Sequence, residues 1–145
     1  MSATPVTMIL IEDDDGHALL IEKNLRRAGI DNTLVRFADG TSALAHFFAA
    51  EARPGVPHEP MLVLLDLNLP DMRGVEILAA LKKDVRLRRV PVVVLTTTQD
   101  QDEIQRCYRL GASAYVTKPV AYDDFAAAIR QLGLFLAIIQ VPETR

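Results

Sequence analysis

The sequence predicts an α/β fold, in which helices cover both faces of a parallel sheet. Short apolar runs alternate with longer segments of helical periodicity, five times along the chain. The runs lack the polar–apolar alternation of a half-exposed strand, which is typical of strands buried on both faces. With 145 residues, 50% of them hydrophobic and 24% charged, the chain has the size and composition of one globular domain.

Five apolar runs are the predicted strands, and each is bounded by polar residues, glycine or proline. They cover residues 6–11 (VTMILI), 33–37 (TLVRF), 61–65 (MLVLL), 92–95 (VVVL) and 114–117 (AYVT). Between and after them, apolar residues recur at spacings of three and four, which predicts amphipathic helices. These helices cover residues 16–28, 41–51, 75–83, 101–110 and 122–139. Strand–helix alternation of this kind predicts right-handed crossovers between parallel strands.

Composition excludes several classes of protein. The formal charge is −3, whereas a general nucleic-acid binder needs a basic face. The single cysteine, Cys107, rules out an intramolecular disulfide and lies on the apolar stripe of a predicted helix. The N-terminus does not read as a secretion signal, and no apolar run is long enough to span a membrane. We therefore expect a cytoplasmic protein, and we expect the basic run at 82–89 to be a solvated connection.

Polar side chains follow four of the five predicted strands. Glu12 to Asp15 follow the first strand, Asp66 the third, Thr96 ends the fourth and Lys118 follows the fifth. Parallel strands share a direction, so their carboxyl ends meet at one edge of the sheet, where ligands bind in open α/β folds. The sequence thus predicts an edge that gathers carboxylates, a hydroxyl group and an ammonium group.

The gathered carboxylates predict a divalent cation. Two unit charges ~4 Å apart repel by about 4 kcal/mol at an effective dielectric constant of about 20. An oxygen-only ligand set without histidine or cysteine favours Mg²⁺. Asp14 or Asp15 can instead serve the N-terminus of the following helix, where an acid is favourable. That use leaves Glu12 and Asp13 as the candidate metal ligands.

Asp66 is the candidate nucleophile of this edge. A carboxylate beside a divalent cation can attack a phosphoryl group and become an aspartyl phosphate. Lys118 would then meet the phosphoryl charge, and the Thr96 hydroxyl would donate a hydrogen bond to a phosphoryl oxygen.

Four segments resemble the receiver domains of two-component response regulators. They are ILIEDD (9–14), LLDLNLPDMRG (64–74), PVVVLTT (91–97) and GASAYVTKP (111–119). The resemblance covers residues 6–132 and implies a flavodoxin-like (βα)5 fold with strand order 2-1-3-4-5. It also implies one receiver domain over residues 1–145, with an apolar extension at 133–145.

The resemblance implies a role for each residue of the site. Asp66 matches the phosphoacceptor, Asp13 a direct ligand of Mg²⁺ or Mn²⁺, Glu12 a ligand acting through water, and Asn68 a backbone-carbonyl ligand. The remaining matches are Thr96 as the switch hydroxyl, Tyr115 as the aromatic that changes rotamer, Thr97 as a backbone N–H donor to the phosphoryl group, and Lys118, whose bond to Pro119 is cis in the family. Glu12 replaces a common aspartate and Thr97 a common alanine, which affects the lifetime of the phosphoryl group and not its acceptance.

The implied function is signal transfer. A sensor histidine kinase donates the phosphoryl group, and the receiver changes conformation and protein contacts while catalysing only its own phosphorylation and dephosphorylation. The alternatives are a phosphorelay shuttle or phosphate sink, a small Mg²⁺-dependent phosphohydrolase, and a scaffold that does not depend on phosphorylation. Asn68 weakens the phosphohydrolase interpretation, because such enzymes use an acid at that position.

The C-terminal extension predicts a homodimer through an extended helix. Its apolar seam has the spacing of a helix-pairing face and consists of Phe125, Ile129, Leu132, Leu136 and Ile139. More apolar residues lie on another side of the same helix, and one domain cannot cover both. The alternative is that the tail folds over its own sheet edge. In this extension, in the stretch from EDD through the first helix (12–29) and in PVVVLTTT (91–98), the chain resembles small stand-alone receivers that are partnered with bacteriophytochrome histidine kinases.

We expect the full chain to sediment as a dimer and a chain ending at Leu132 to sediment as a monomer, because the truncation removes two of the five seam residues, Leu136 and Ile139. Analytical ultracentrifugation of both chains at micromolar concentration measures this. If both chains run as monomers, the dimer prediction is wrong.

Overall fold

The computed structural model describes residues 6–49, 60–97 and 99–118, together with residues 123 and 127. Within these residues, strands and helices alternate along the chain. Their bounds are β1 Thr7–Ile11, α1 Asp15–Arg27, β2 Leu34–Phe37, α2 Gly40–Ala49, β3 Met61–Asp66, α3 Gly74–Lys83, β4 Val92–Thr96, α4 Gln101–Leu110 and β5 Ala114–Thr117. The strands form one parallel sheet in the order β2-β1-β3-β4-β5, which confirms the predicted fold.

The predicted bounds agree with the structure to within two residues for every element that it describes. Helix α4 and strand β5 begin and end where the sequence predicts, and β3 continues by one residue to include Asp66. The fifth predicted helix, 122–139, lies outside the described residues except for Asp123 and Ala127, which are both helical. The extended C-terminal helix therefore stays a prediction.

Two apolar clusters hold the sheet, one on each face. Every residue of β3 and β4 is buried, and successive side chains point to opposite faces, so Leu64 enters one cluster and Leu65 the other. Helix α1 covers the face that Leu64 enters. Helices α2, α3 and α4 cover the face that Leu65 enters, where Cys107 is buried as predicted. Burying one such aliphatic side chain contributes about 1.5–3 kcal/mol, so the central strands are fixed firmly.

The register of the central strands aligns their carboxyl ends. Ile11 pairs with Leu65, Asp66 with Leu95, and Thr96 with Thr117. The four strand ends that carry polar groups therefore lie at one edge of the sheet. This alignment follows from apolar packing far from the polar groups themselves.

The connection between α3 and β4 differs from the solvated loop predicted for the basic run. The ammonium of Lys82 donates hydrogen bonds to the carbonyls of Arg88, at 3.0 Å, and Val90, at 2.6 Å. Burial lowers the pKa of Lys82. The Arg86 guanidinium donates to the carbonyl of Phe47 in α2 at 3.0 Å. The prediction is wrong for these two side chains, because backbone carbonyls without helical partners attract them.

The loop that follows β3 is attached to the N-terminus of α2. The carboxylate of Asp71 accepts hydrogen bonds from the backbone N–H of Gly40, at 2.9 Å, from that of Thr41, at 2.8 Å, and from the Thr41 hydroxyl. These hydrogen bonds, that of the hydroxyl above all, lower the pKa of Asp71 to about 2. A Cβ at Gly40 would lie 2.5 Å from the Met72 side chain, so the loop packs closely against the helix. Asp71 thus caps the N-terminus of α2, although it lies 31 residues after Gly40 in the sequence.

Among the residues that the structure describes, no helix has the length and apolar character needed to cross a membrane.

We expect Asp71→Ala to lower the free energy of unfolding at neutral pH. The pKa of Asp71 lies below its ordinary value of 3.8, so its contribution is complete above that value and is lost as pH falls toward about 2. Urea unfolding followed by circular dichroism at pH 7, 5 and 3 should show equal deficits at the two higher values and a smaller one at pH 3. Asp31→Ala, at an exposed aspartate, is the control and should show little deficit at any pH. A deficit of Asp71→Ala that is the same at all three values would contradict this assignment.

Candidate functional site

The structure brings the candidate residues of the sequence together at the carboxyl edge of the sheet. Asp66 ends β3 and is 2% exposed, and Thr96 ends β4 and is also buried. Glu12 follows β1 and Lys118 follows β5, and both are buried. Burial of three charged side chains at one edge is unusual, since such groups remain inside a protein only when they are paired.

Lys118 lies between two carboxylates. Its Nζ is 2.8 Å from Oε1 of Glu12 and 3.2 Å from Oδ2 of Asp66. Burial alone would lower the pKa of Lys118, but the hydrogen bond to Glu12 and the charge of Asp66 outweigh burial and raise that pKa. Its backbone N–H donates to the carbonyl of Thr96 at 2.8 Å, so the lysine is also held by the end of the neighbouring strand.

Glu12 is the most deeply buried acid of the site. Burial raises the pKa of Glu12, and the charge of Asp66 raises it further, while the hydrogen bond with Lys118 acts in the opposite direction. The second carboxylate oxygen, Oε2, accepts a hydrogen bond from the backbone N–H of Asp14 at 3.2 Å. Burial, more than the charge of Asp66, thus outweighs the effect of Lys118 on this carboxyl group.

The acids of the site fit a divalent cation. Carboxylate oxygens of Glu12, Asp13 and Asp66 lie within 4.8 Å of one another. Against these three carboxylates stands the ammonium of Lys118, which leaves two negative charges. Asp13 is exposed and therefore gives access to hydrated ions. An all-oxygen site of this kind, open to water on one side, matches the preference of Mg²⁺ and Mn²⁺.

The loop after β3 adds backbone groups to the site. Asn68 donates its N–H to Oδ1 of Asp66 at 3.1 Å and forms a single bridge with Arg73. Gly74 donates its N–H to the carbonyl of Leu67 at 2.8 Å and begins α3 directly against β3. Asp66 is therefore held at one oxygen by Lys118 and at the other by the loop.

The candidate switch residues lie on β4 and β5. Tyr115 is half-buried, and its ring meets that of Tyr108 in α4 edge-to-face, with centroids 5.9 Å apart. The sequence placed Tyr108 on the apolar stripe of the predicted helix 101–110 and gave it no part in the site. Thr97 is exposed just beyond β4. Pro119 lies outside the described residues, so its peptide bond stays a prediction.

The loop after β1 has two supports, of which the sequence predicted one. Asp14, one of the two acids predicted to serve the start of α1, is its N-cap, and its Oδ1 accepts the N–H of His17 at 2.9 Å. The second support is Arg36 of β2, which sequence reasoning missed. The Arg36 guanidinium donates to the carbonyl of Glu12 at 3.0 Å and to Oδ1 of Asp15 at 2.8 Å. The sequence did offer a signal for this role, because Arg36 is a charged residue inside the otherwise largely apolar run TLVRF (33–37).

Fold and site together define the class of response-regulator receiver domains: a parallel sheet of order 2-1-3-4-5 with acids and a lysine at its carboxyl edge. A family model described as the response regulator receiver domain matches residues 8–130, and the chain belongs to this family.

Three relatives illustrate the similarity. The crystal structure of a response regulator receiver domain from Rhodospirillum rubrum is 59% identical, covers 97% of this chain and 99% of its own, and has a TM-score of 0.78. Response regulator Rcp1 of Synechocystis sp. is 38% identical over 92% of this chain and 90% of its own. The crystal structure of its Mn²⁺-bound form has a TM-score of 0.73, at 33% identity over 96% of this chain and 100% of its own. The bacteriophytochrome response regulator RtBRR is 34% identical over 97% of this chain and 85% of its own, with a TM-score of 0.78.

These relatives confirm the resemblance to the response regulators of phytochromes as well as the membership of the receiver family. The chain is therefore a receiver domain of a response regulator.

We expect Gly74→Ala to destabilise the protein and to displace the backbone of Asp66. The added Cβ would lie 2.4 Å from the carbonyl oxygen of Asp66 and 2.6 Å from Cα of Leu67. Overpacking of this kind costs about 1–3 kcal/mol, which guanidinium unfolding measures. The amide resonances of Asp66 and Leu67 should shift in an NMR spectrum of the variant.

Gly16→Ala is the matched control. Its Cβ would meet only a carboxylate oxygen of Asp14, at 3.2 Å, in the first turn of α1. This variant should keep the stability and the Asp66 resonance of the parent chain. Equal stability of the two variants would show that α3 does not press on the end of β3.

Proposed function

We propose that Asp66 accepts a phosphoryl group from a sensor histidine kinase in a reaction that depends on Mg²⁺. The observation that carries the proposal is the setting of one carboxylate. Asp66 ends a fully buried strand, its Oδ2 is 3.2 Å from the ammonium of Lys118, and its carboxylate lies within 4.8 Å of those of Glu12 and Asp13. Nucleophile, counter-charge and candidate metal ligands thus share one small site.

The proposed chemistry is a transfer between two nucleophiles. An oxygen of Asp66 attacks the phosphorus atom of a phosphohistidine, and the phosphorus–nitrogen bond breaks with its electron pair returning to the imidazole. The product is an acyl phosphate on Asp66. Later attack by water releases inorganic phosphate and restores the carboxylate, so the protein catalyses only its own modification and is not a turnover enzyme.

The other side chains of the site position the phosphoryl group and compensate its negative charge. Lys118 is already held at hydrogen-bonding distance from the acceptor, and the Thr96 hydroxyl and the Thr97 N–H donate to phosphoryl oxygens. Asp13, Asp66 and the carbonyl of Asn68 would hold the metal ion directly, and Glu12 through water. When bound, the ion neutralises negative charge on the phosphoryl group. The fit of three carboxylates within 4.8 Å supports this ligand set.

The proposed output is a change of protein contacts at α4 and β5. The phosphoryl group on Asp66 draws the Thr96 hydroxyl toward it, Lys118 stays beside it, and Tyr115 moves from its place beside Tyr108. This biases two existing arrangements of the α4–β5 face, which is a population shift. The edge-to-face contact of Tyr108 and Tyr115, at 5.9 Å, is the contact that this movement would break.

We propose a bacteriophytochrome-type histidine kinase as the partner, and the supporting observation is the similarity to RtBRR and Rcp1. We further propose that residues 1–145 form one stand-alone, cytoplasmic receiver that binds neither nucleic acid nor membranes. The homodimer also stays a prediction, because its seam of Phe125, Ile129, Leu132, Leu136 and Ile139 lies outside the described residues. A phosphohydrolase has less support, since the amide of Asn68 cannot donate and recover a proton as an acid would.

Mass spectrometry after treatment with acetyl phosphate and Mg²⁺ tests the acceptor. We expect the parent chain to gain one phosphate and Asp66→Asn to gain none, because an amide oxygen is a poor nucleophile. Chelation of the metal with EDTA should prevent labelling of the parent chain.

Asp31→Asn is the control and should be labelled like the parent chain, because this aspartate is exposed and lies between α1 and β2. Equal labelling of Asp66→Asn would place the acceptor elsewhere. Repeated release of phosphate from a soluble phosphomonoester would favour the phosphohydrolase.

A further inference from the structure

Arg36 contacts the loop that carries the acids of the site. It lies on β2, the edge strand beside β1, and its side chain is 30% exposed. Its Nε donates to the carbonyl oxygen of Glu12 at 3.0 Å, and its Nη1 donates to Oδ1 of Asp15 at 2.8 Å. One guanidinium therefore joins the first and the last residue of the acidic stretch from Glu12 to Asp15.

The backbone of Glu12 is held from β2 on both sides. The Glu12 N–H donates to the carbonyl of Phe37 at 3.0 Å, and the Glu12 carbonyl accepts from the side chain of Arg36, which precedes Phe37 in β2. The carbonyl of Glu12 and the N–H of Asp13 belong to one planar peptide group. A hydrogen bond that fixes this carbonyl therefore also fixes the plane from which the Asp13 side chain leaves the backbone.

Asp13 needs such support more than the other acids do. Glu12 and Asp66 are buried and contact Lys118, whereas Asp13 is exposed. Its carboxylate nevertheless lies within 4.8 Å of both buried carboxylates. Because few side chains surround the exposed Asp13, the position of its carboxylate depends mainly on the conformation of its backbone.

We propose that Arg36 is a positioning residue for the divalent cation: it holds the Glu12–Asp13 segment in the arrangement that binds Mg²⁺. This inference rests on the metal site of the proposed function. Arginine suits the task because its planar fork can satisfy a carbonyl and a carboxylate at the same time. Lysine has a single nitrogen and cannot span the two acceptors in the same geometry.

Charge and geometry predict opposite results when Arg36 is removed. The guanidinium is a cation beside a site for a cation, so charge alone predicts that its loss tightens Mg²⁺ binding. Loss of the hydrogen bond to Glu12 predicts weaker binding, because groups that orient metal ligands contribute about tenfold or more to metal affinity. The direction of the change therefore distinguishes positioning from electrostatics.

The test is Arg36→Met in the full chain, titrated with MgCl2 by calorimetry and with Mn²⁺ by electron paramagnetic resonance. We expect the Kd for both ions to rise about tenfold. The rate of labelling by acetyl phosphate at saturating Mg²⁺ should stay close to that of the parent chain, because the contacts of Arg36 are with Glu12 and Asp15 and not with the acceptor. An effect on affinity with little effect on the saturated rate is the signature of positioning.

Arg26→Met is the matched control. Arg26 lies on α1, is 35% exposed, and donates to the carbonyls of Ile30 and Asn32, both at 2.8 Å. Its loss removes similar hydrogen bonds away from the acidic loop, so it should lower stability and leave the Kd for Mg²⁺ unchanged. This control separates general loosening of the fold from a specific effect on the site.

Arg36→Lys is the second variant and carries the test if Arg36→Met does not fold. It keeps the charge and one donor, so we expect a Kd between those of the parent chain and Arg36→Met. Binding weaker than in Arg36→Met would show that charge governs and would refute the proposal, as would unchanged or tighter binding in Arg36→Met. A parent chain that binds neither ion would instead contradict the metal site of the proposed function.

Discussion

The site depends on one buried ammonium between two buried carboxylates. Lys118 reaches Glu12 at 2.8 Å and Asp66 at 3.2 Å, and all three side chains are shielded from water. Desolvation of such a group costs several kcal/mol per ion, roughly as much as the attraction returns, so this arrangement contributes little to stability. Instead, the arrangement places the ammonium of Lys118 beside the carboxylate of Asp66. The two buried carboxylates outnumber this ammonium, and the carboxylate of Asp13 adds to the excess of negative charge. The excess fits the metal ion that we propose for this site, and the lysine fits the charge of the phosphoryl group in the proposed reaction.

The apolar sheet makes this unfavourable grouping possible. Strands β3 and β4 are buried along their whole length, and their register places Asp66 and Thr96 beside each other without help from the polar groups. Two further devices confine the loop after β3. Asp71 attaches the loop to α2, and Gly74 lets α3 approach the carbonyl of Asp66 more closely than any other residue would allow. Strands thus carry Asp66 and Thr96, and short loops with fixed ends carry the groups that surround them.

The sequence was informative where the physical cause is local. Uninterrupted apolar runs mark buried strands, spacings of three and four mark helices, and the shared direction of parallel strands predicts that Asp66 and Lys118 meet. The resemblance to receivers added Asn68 and Tyr115, which composition and spacing alone do not single out. Contacts between a side chain and the backbone of a distant segment escaped prediction. Asp71 reaches a helix 31 residues away, Arg86 a carbonyl 39 residues away, and Arg36 a carbonyl 24 residues away. Each bonds to backbone groups whose positions exist only once the chain has folded.

Lys118 and Arg36 both contact acids of this edge, and they act in different ways because they differ in exposure. Lys118 is almost fully buried, so its attraction for Asp66 is weakly screened, and its charge is what it contributes. Arg36 pairs with an aspartate that is 93% exposed, where solvent and salt reduce an ion pair to little. Its bond to the carbonyl of Glu12 is directional and less exposed, so direction and not charge is what Arg36 contributes. Lys118 therefore compensates part of the negative charge from the buried side of the acidic edge, whereas Arg36 orients the backbone of Glu12 from the exposed side. A lysine and an arginine could not exchange these two positions.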